Sequence, residues 1–183
     1  WAIPNHTLMR PADAVEAAEC WQVALKATKT PTTLALTRQN LPALRTEHVD
    51  ENLCARGAYE LVPASGAAKA TIFATGSEVE IAVNAQAALE AKGIPARVVS
   101  VPSFELFFSQ DDAYRAGIIG DAPVRIAVEA GIRQGWDAII GSDGLFVGMS
   151  GFGASGRIED LYKHFGITAE AVVEAVEAGL PKA

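Results

Sequence analysis

A chain of 183 residues, half of them hydrophobic, can bury one good core with a short appendage and reads as a soluble globular protein. Its net charge of −7 and the lack of any Lys/Arg-rich run argue against nucleic acid or an anionic membrane as partner, and its apolar runs break well short of a membrane span. Two cysteines, Cys20 and Cys54, stand far apart in sequence without metal-ligand spacing, and no signal peptide is visible, so a cytoplasmic location and two inert thiols are expected. The first residue, Trp1, is not methionine and suggests an excised or truncated segment.

Residues 1–45 read as an extended opening, a helix and a strand. Asp13-Ala14-Val15-Glu16 has the form of a capping box, in which the Asp13 carboxylate accepts from the Glu16 amide. Ala14, Ala17, Ala18, Trp21, Ala24 and Leu25 recur at helical spacing and predict the face that packs on a sheet. Lys26, Lys29 and Thr30-Pro31 close the helix, and Thr32 to Thr37 predicts a short buried strand. Arg38 then emerges at the strand's carboxyl end, where open α/β sheets hold ligands, followed by Gln39-Asn40-Leu41-Pro42. Its guanidinium suits a phosphate or carboxylate; the alternative is an arginine that merely ties down a loop. One helix and one strand cannot form a domain, so this block reads as the tail of an α/β domain begun upstream.

Residues 46–57 mix charges without periodicity and read as a surface linker, with His48 a solvated loop histidine. From residue 58 to 183 the pattern is that of a complete α/β domain. Ala58–Val62 predicts an edge strand, Ala70–Thr75 a buried strand, and Ser77-Glu78-Val79-Glu80 a second capping box. Ile81, Ala85, Ala88 and Leu89 predict the apolar face of the next helix, closed by Gly93, with a parallel strand over Ala96–Val101. Glu78 and Glu80 in that helix's first turn would repel a phosphate, so the Gly76 turn reads as structural.

Pro102–Phe108 is the densest aromatic stretch, expected in core and interface, and Asp111–Arg115 opens a short helix. Val124–Glu129 is a further strand; Glu129 has no acid/base partner nearby in sequence and reads as a structural carboxylate at a domain or subunit boundary. Gly144–Met149 reads as the last strand, and Gly151–Gly156 as a loop without the Lys-Ser/Thr pair of a nucleotide cradle. Glu159–His164 forms a helix closed by Gly166, with His164 at its negative end, and Thr168 caps a last helix striped by Val172, Val173 and Val176. The expected fold is α/β: a three-layer α/β/α domain with a mostly parallel, mixed sheet of about five strands, preceded by the helix-strand remnant.

Four blocks carry a resemblance: Arg10-Pro11-Ala12-Asp13 with Glu16 and Trp21; Leu36–Pro42; Ala74–Val79; and Phe152–Ser155 with Leu161–Thr168. Together, in this order, they resemble transketolase across essentially the whole chain. The resemblance implies residues 1–45 as the end of the pyrimidine-binding domain, 46–57 as linker and 58–183 as the C-terminal domain of a cytoplasmic homodimer. It implies transfer of a two-carbon ketol unit between sugar phosphates, in the pentose phosphate pathway and Calvin cycle, with thiamine diphosphate and a divalent metal, Mg or Ca. Arg38 would contact the substrate's phosphate. No catalytic, cofactor-binding or metal-binding residue is assigned to this chain, which is expected to be inactive and cofactor-free alone. Gly135–Gly141 resembles the family's Gly-Trp helix after the preceding strand, where transketolases commonly carry an aromatic residue near the position of Ile139, so the local packing or interface is expected to differ here. A related thiamine diphosphate enzyme, such as a dihydroxyacetone synthase or deoxyxylulose phosphate synthase, or a non-catalytic assembly or regulatory module, are the competing readings.

Overall fold

The computed structural model describes residues 3–181; Trp1 lies outside the described residues. The opening segment contains a strand that sequence reading passed over, β1 (Thr7–Met9), which pairs in parallel with β2 (Thr32–Leu34). Thr32–Thr37 is therefore corrected: only its first three residues are in the ladder, and they are half-buried or exposed because β1 alone pairs with them among the described residues.

Between these strands runs α1 (Ala14–Lys26), whose cap forms as the sequence implies, with Glu16 N–H donating to Asp13 Oδ1 at 2.8 Å. Its packed face is not the alanine stripe. Glu16 and Cys20 are buried, while Trp21 is 53% and Leu25 77% exposed. A hydropathy stripe misses this because the inward position is a carboxylate: Glu16 is held by neutral donors from Ala12, Tyr59 and Ser100 rather than by apolar contact.

A 3-10 turn, Leu53–Arg56, seats Cys54 against Met9 and Cys20, so the distal half of the predicted surface linker is packed while Thr46–Glu51 is exposed. The cysteines, distant in sequence, share one small cluster as free thiols. Contact with the Cys20 thiol, and then burial, push the Cys54 thiol up, away from the reactive thiolate.

The large sheet has the order β3 (Tyr59–Val62), β5 (Ala96–Ser100), β4 (Ala70–Ala74), β6 (Val124–Glu129), β7 (Leu145–Gly148), with β3 antiparallel on its edge and every other pair parallel. β4 is buried along its length, as expected of a central strand covered on both faces. One face carries Ile72, Val98, Ile126 and Val128 against α2 (Glu78–Ala91), α6 (Ile158–Phe165) and α7 (Ala169–Gly179). The other carries Phe73, Val99 and Ala127 against α3 (Phe104–Phe108), α4 (Asp112–Ile119) and α5 (Asp137–Ile140). Each such aliphatic or aromatic side chain contributes about 1.5–3 kcal/mol on burial, and the result is the three-layer α/β/α domain.

Two local expectations differ. Ser77 makes no capping bond to the α2 backbone; its hydroxyl donates instead to the Glu78 side chain at 2.8 Å. The inward face of α2 is Val79, Ala82, Ala85, Gln86 and Leu89, with Ile81 half-buried and Ala88 exposed. In the aromatic stretch Phe104 and Phe107 are buried and Phe108 is partly exposed, and the Phe104 ring stands edge-on to Trp136 at 4.8 Å.

Candidate functional site

The chain after β2 runs extended to Thr37 and then turns. Gln39 N–H donates to Thr37 Oγ1 at 3.2 Å, a local side-chain-to-backbone bond of the kind that shapes tight turns. The turn leaves Arg38 at its apex, exposed and without a hydrogen bond or ion pair among the described residues. The segment is pinned at both ends: Ala35 N–H donates to Met9 O at 2.8 Å, and Asp13 Oδ2 accepts from Leu44 and Arg45 N–H, both at 3.0 Å. Asp13 thus caps α1 with one oxygen and fastens the returning loop with the other.

Beneath this segment lies a cleft of about 270 Å³, lined by Thr37 and Gln39 on one side and by Gly76, Ser77, Ala130 and Tyr162 among those on the other. Arg38 stands outside the lining. At the cleft wall Arg10 forks between two buried carboxylates: one guanidinium nitrogen reaches Glu78 Oε2 at 2.8 Å and another pairs with Glu129 Oε1. Glu78 Oε1 also accepts from Tyr162 O–H at 2.7 Å, and Glu129 Oε2 from Trp136 Nε1–H at 2.7 Å. Burial, then the Glu78 carboxylate, pushes the Tyr162 phenol up, so it remains a donor.

Glu129 is a structural carboxylate joining the opening block to the larger sheet, as its position suggested; the unforeseen partner is Arg10, 119 positions away. Sequence spacing gives no sign of this fork, because Glu78 and Glu129 stand 68 and 119 positions from Arg10. His48 is exposed and pairs with Asp50 at 2.9 Å, and His164 is exposed beside Phe165.

Among the described residues no group of three or more His, Cys, Asp or Glu side chains could hold a metal ion, and the acid that opens α2 is engaged by Arg10, Tyr162 and Ser77.

Residues 57–168 match the family model of the transketolase-like TK C-terminal domain, and residues 1–43 that of the transketolase pyrimidine binding domain. The chain belongs to the transketolase family. It is 56% identical to a transketolase of Cereibacter sphaeroides over 176 residues, covering 96% of this chain and 26% of that protein. It is 57% identical over 178 residues to a transketolase of Sinorhizobium medicae, again covering 96% of this chain and 26% of the relative. A solved structure, the transketolase from Leishmania mexicana, superposes with a TM-score of 0.85 at 40% identity, covering 97% of this chain and 25% of that one. The chain thus spans about a quarter of the length of the transketolases it matches. In this transketolase segment Ile139, where family members commonly carry an aromatic, is buried in the same cluster as Phe104 and Trp136, so an aliphatic side chain completes the packing there.

Proposed function

We propose that this chain is the carboxyl-terminal portion of a transketolase whose whole protein moves a two-carbon ketol unit from a ketose phosphate to an aldose phosphate. Residues 1–45 end the pyrimidine-binding domain, 46–57 link, and 58–183 form the C-terminal domain of a cytoplasmic homodimer working in the pentose phosphate pathway and Calvin cycle. Thiamine diphosphate, with Mg or Ca, supplies the electron sink from a site in other parts of the protein. Arg38 is the substrate-phosphate contact, and the C-terminal domain is scaffold.

The observation that carries this reading is the contrast between two arginines. Arg10 is saturated by buried carboxylates, whereas Arg38 is held out beyond the end of β2 by the Thr37–Gln39 turn, its five donors uncommitted among the described residues. A guanidinium in that position can grip the anionic end of a substrate and so orient the distant reacting carbons. The exposed Trp21 and Leu25 face of α1 is consistent with a flanking domain covering it.

Two measurements test the proposal. The full-length protein should transfer the ketol unit when given thiamine diphosphate and magnesium, and absence of transfer counts against the assignment. The 183-residue chain alone should show neither turnover nor calorimetric binding of the cofactor with magnesium, and tight stoichiometric binding would contradict the division of labour.

A further inference from the structure

The large sheet has a switch point. β4 lies between β5 and β6; the chain leaves β4 through α2 towards β5 on one side and leaves β6 through α5 towards β7 on the other. The two connections diverge at the carboxyl ends of β4 and β6, the crevice in which open α/β sheets bind ligands. Here its walls are Gly76–Glu78 and Glu129–Gly131, with Glu78 1% and Glu129 6% exposed. Among the described residues of the C-terminal part these acids find only neutral donors: Ser77 and Tyr162 for one, Trp136 for the other. Among the described residues the only cation paired with either is Arg10, which enters from the other block.

Arg10 is seated as a ligand would be. Its N–H donates to Pro102 O at 2.9 Å and its carbonyl accepts from Gly76 N–H at 3.0 Å, so the backbone fixes the approach. Gly76 has φ +60, a conformation that favours glycine, and the Arg10 guanidinium lies in van der Waals reach of this turn, with Nε and Nη2 3.4 Å from where a Cβ would stand. The two carboxylates on opposite walls are each met by a different guanidinium nitrogen, Nη2 for Glu78 and Nη1 for Glu129, a forked pairing that suits a planar cation with divergent N–H groups better than the point charge of an ammonium. We infer that the switch-point crevice of the C-terminal domain is a guanidinium-binding site, filled in this protein by Arg10 as an intramolecular ligand. The crevice that related topologies give to a diffusible ligand serves here as the socket that docks one block on the other.

The experiment empties the socket and offers a replacement. Arg10→Ala in the 183-residue chain is titrated with millimolar ethylguanidinium, and with ethylammonium as the control, while thermal midpoint and the Trp136 indole N–H resonance are followed. The expected result is a saturable rise in midpoint, on the order of 2–4 °C, with ethylguanidinium only, absent from the unmodified protein and from Arg10→Ala/Glu129→Gln. The Trp136 resonance should move in Arg10→Ala and return on saturation. An equal response of all proteins, or to both cations, overturns the inference. If Arg10→Ala does not fold, Arg10→Lys decides: the resonance should stay displaced with lysine, and an unshifted signal overturns guanidinium selectivity.

Discussion

Glu16, on the helix of the opening block, accepts a 2.6 Å hydrogen bond from Ser100 Oγ–H at the end of a central strand of the other block. Tyr59 O–H donates to the same oxygen at 2.7 Å and Ala12 N–H to the other at 2.6 Å. Among the described residues three neutral donors and no cation pair with this buried carboxyl, and burial, with a smaller push from Asp13, raises its pKa above the ordinary 4.5 against the lowering effect of those bonds. At pH between 4.5 and its raised folded value, the folded protein therefore binds a proton that the unfolded chain releases. Stability from this group is complete below 4.5 and is lost as pH rises through the folded value. Glu16→Gln, which keeps the shape without the titration, should gain stability relative to the unmodified chain as pH rises above 4.5. Urea unfolding of both proteins across that range checks it; parallel pH profiles would show that Glu16 does not titrate with folding.

Asp13 performs two jobs, and its loss should exceed that of an ordinary helix cap. Removing the cap costs about 1 kcal/mol, and Leu44 and Arg45 N–H lose their acceptor as well. Asp13→Ala should destabilise the chain by about 2–3 kcal/mol, whereas Asp13→Asn, which retains an acceptor oxygen, should lose distinctly less. Denaturant midpoints of the two variants distinguish the dual role from simple capping: a loss of only about 1 kcal/mol in Asp13→Ala would assign the loop contacts no weight.

The C-terminal sheet was legible because its strands are continuous apolar runs and its helices carry apolar stripes, as at Val172, Val173 and Val176. The opening block misled for a physical reason. Its inward helix positions hold Glu16 and Cys20, and a carboxylate buried among long-range donors looks like a surface residue to any hydropathy reading. Ser77 resembled a helix cap, yet Glu78 is drawn into a tertiary ion pair with a residue 68 positions away, and the serine follows it. Arg38 was legible as a candidate because local chain chemistry, a strand end and a turn, places it. The Arg10 fork was not, since nothing local distinguishes an arginine that will be claimed by two distant acids.

Gly57 marks the junction where the packed turn enters the large sheet. Its φ is +79, and an added Cβ would lie 2.0 Å from Phe107 N and 2.6 Å from Leu106 C and Ser103 O, all backbone atoms. Gly93 has a similar φ of +74 but open space around it. Gly93→Ala should cost only the left-handed backbone strain, about 1 kcal/mol. Gly57→Ala must also displace α3, and a loss beyond about 4 kcal/mol, seen as failure to accumulate folded protein, is expected. Comparable midpoints for the two variants would show that α3 yields freely.

Arg38 offers the sharpest separation between a binding role and a structural one. It is exposed, makes no contact with either buried network, and can be truncated without opening the core. Arg38→Ala should leave the thermal midpoint of the 183-residue chain unchanged within the scatter typical of surface substitutions, about 0.5 kcal/mol. In the full-length protein a charge-assisted contact to phosphate contributes about 1.5–3 kcal/mol, so kcat/KM for a phosphorylated acceptor should fall by roughly 10- to 150-fold. An unphosphorylated acceptor of the same carbon skeleton offers no anion to the guanidinium and should lose almost nothing. Arg38→Lys should recover part of the phosphate-dependent loss, since it restores charge without the planar fork. Equal losses on both acceptors would place the substrate's phosphate elsewhere and leave Arg38 a solvated loop residue.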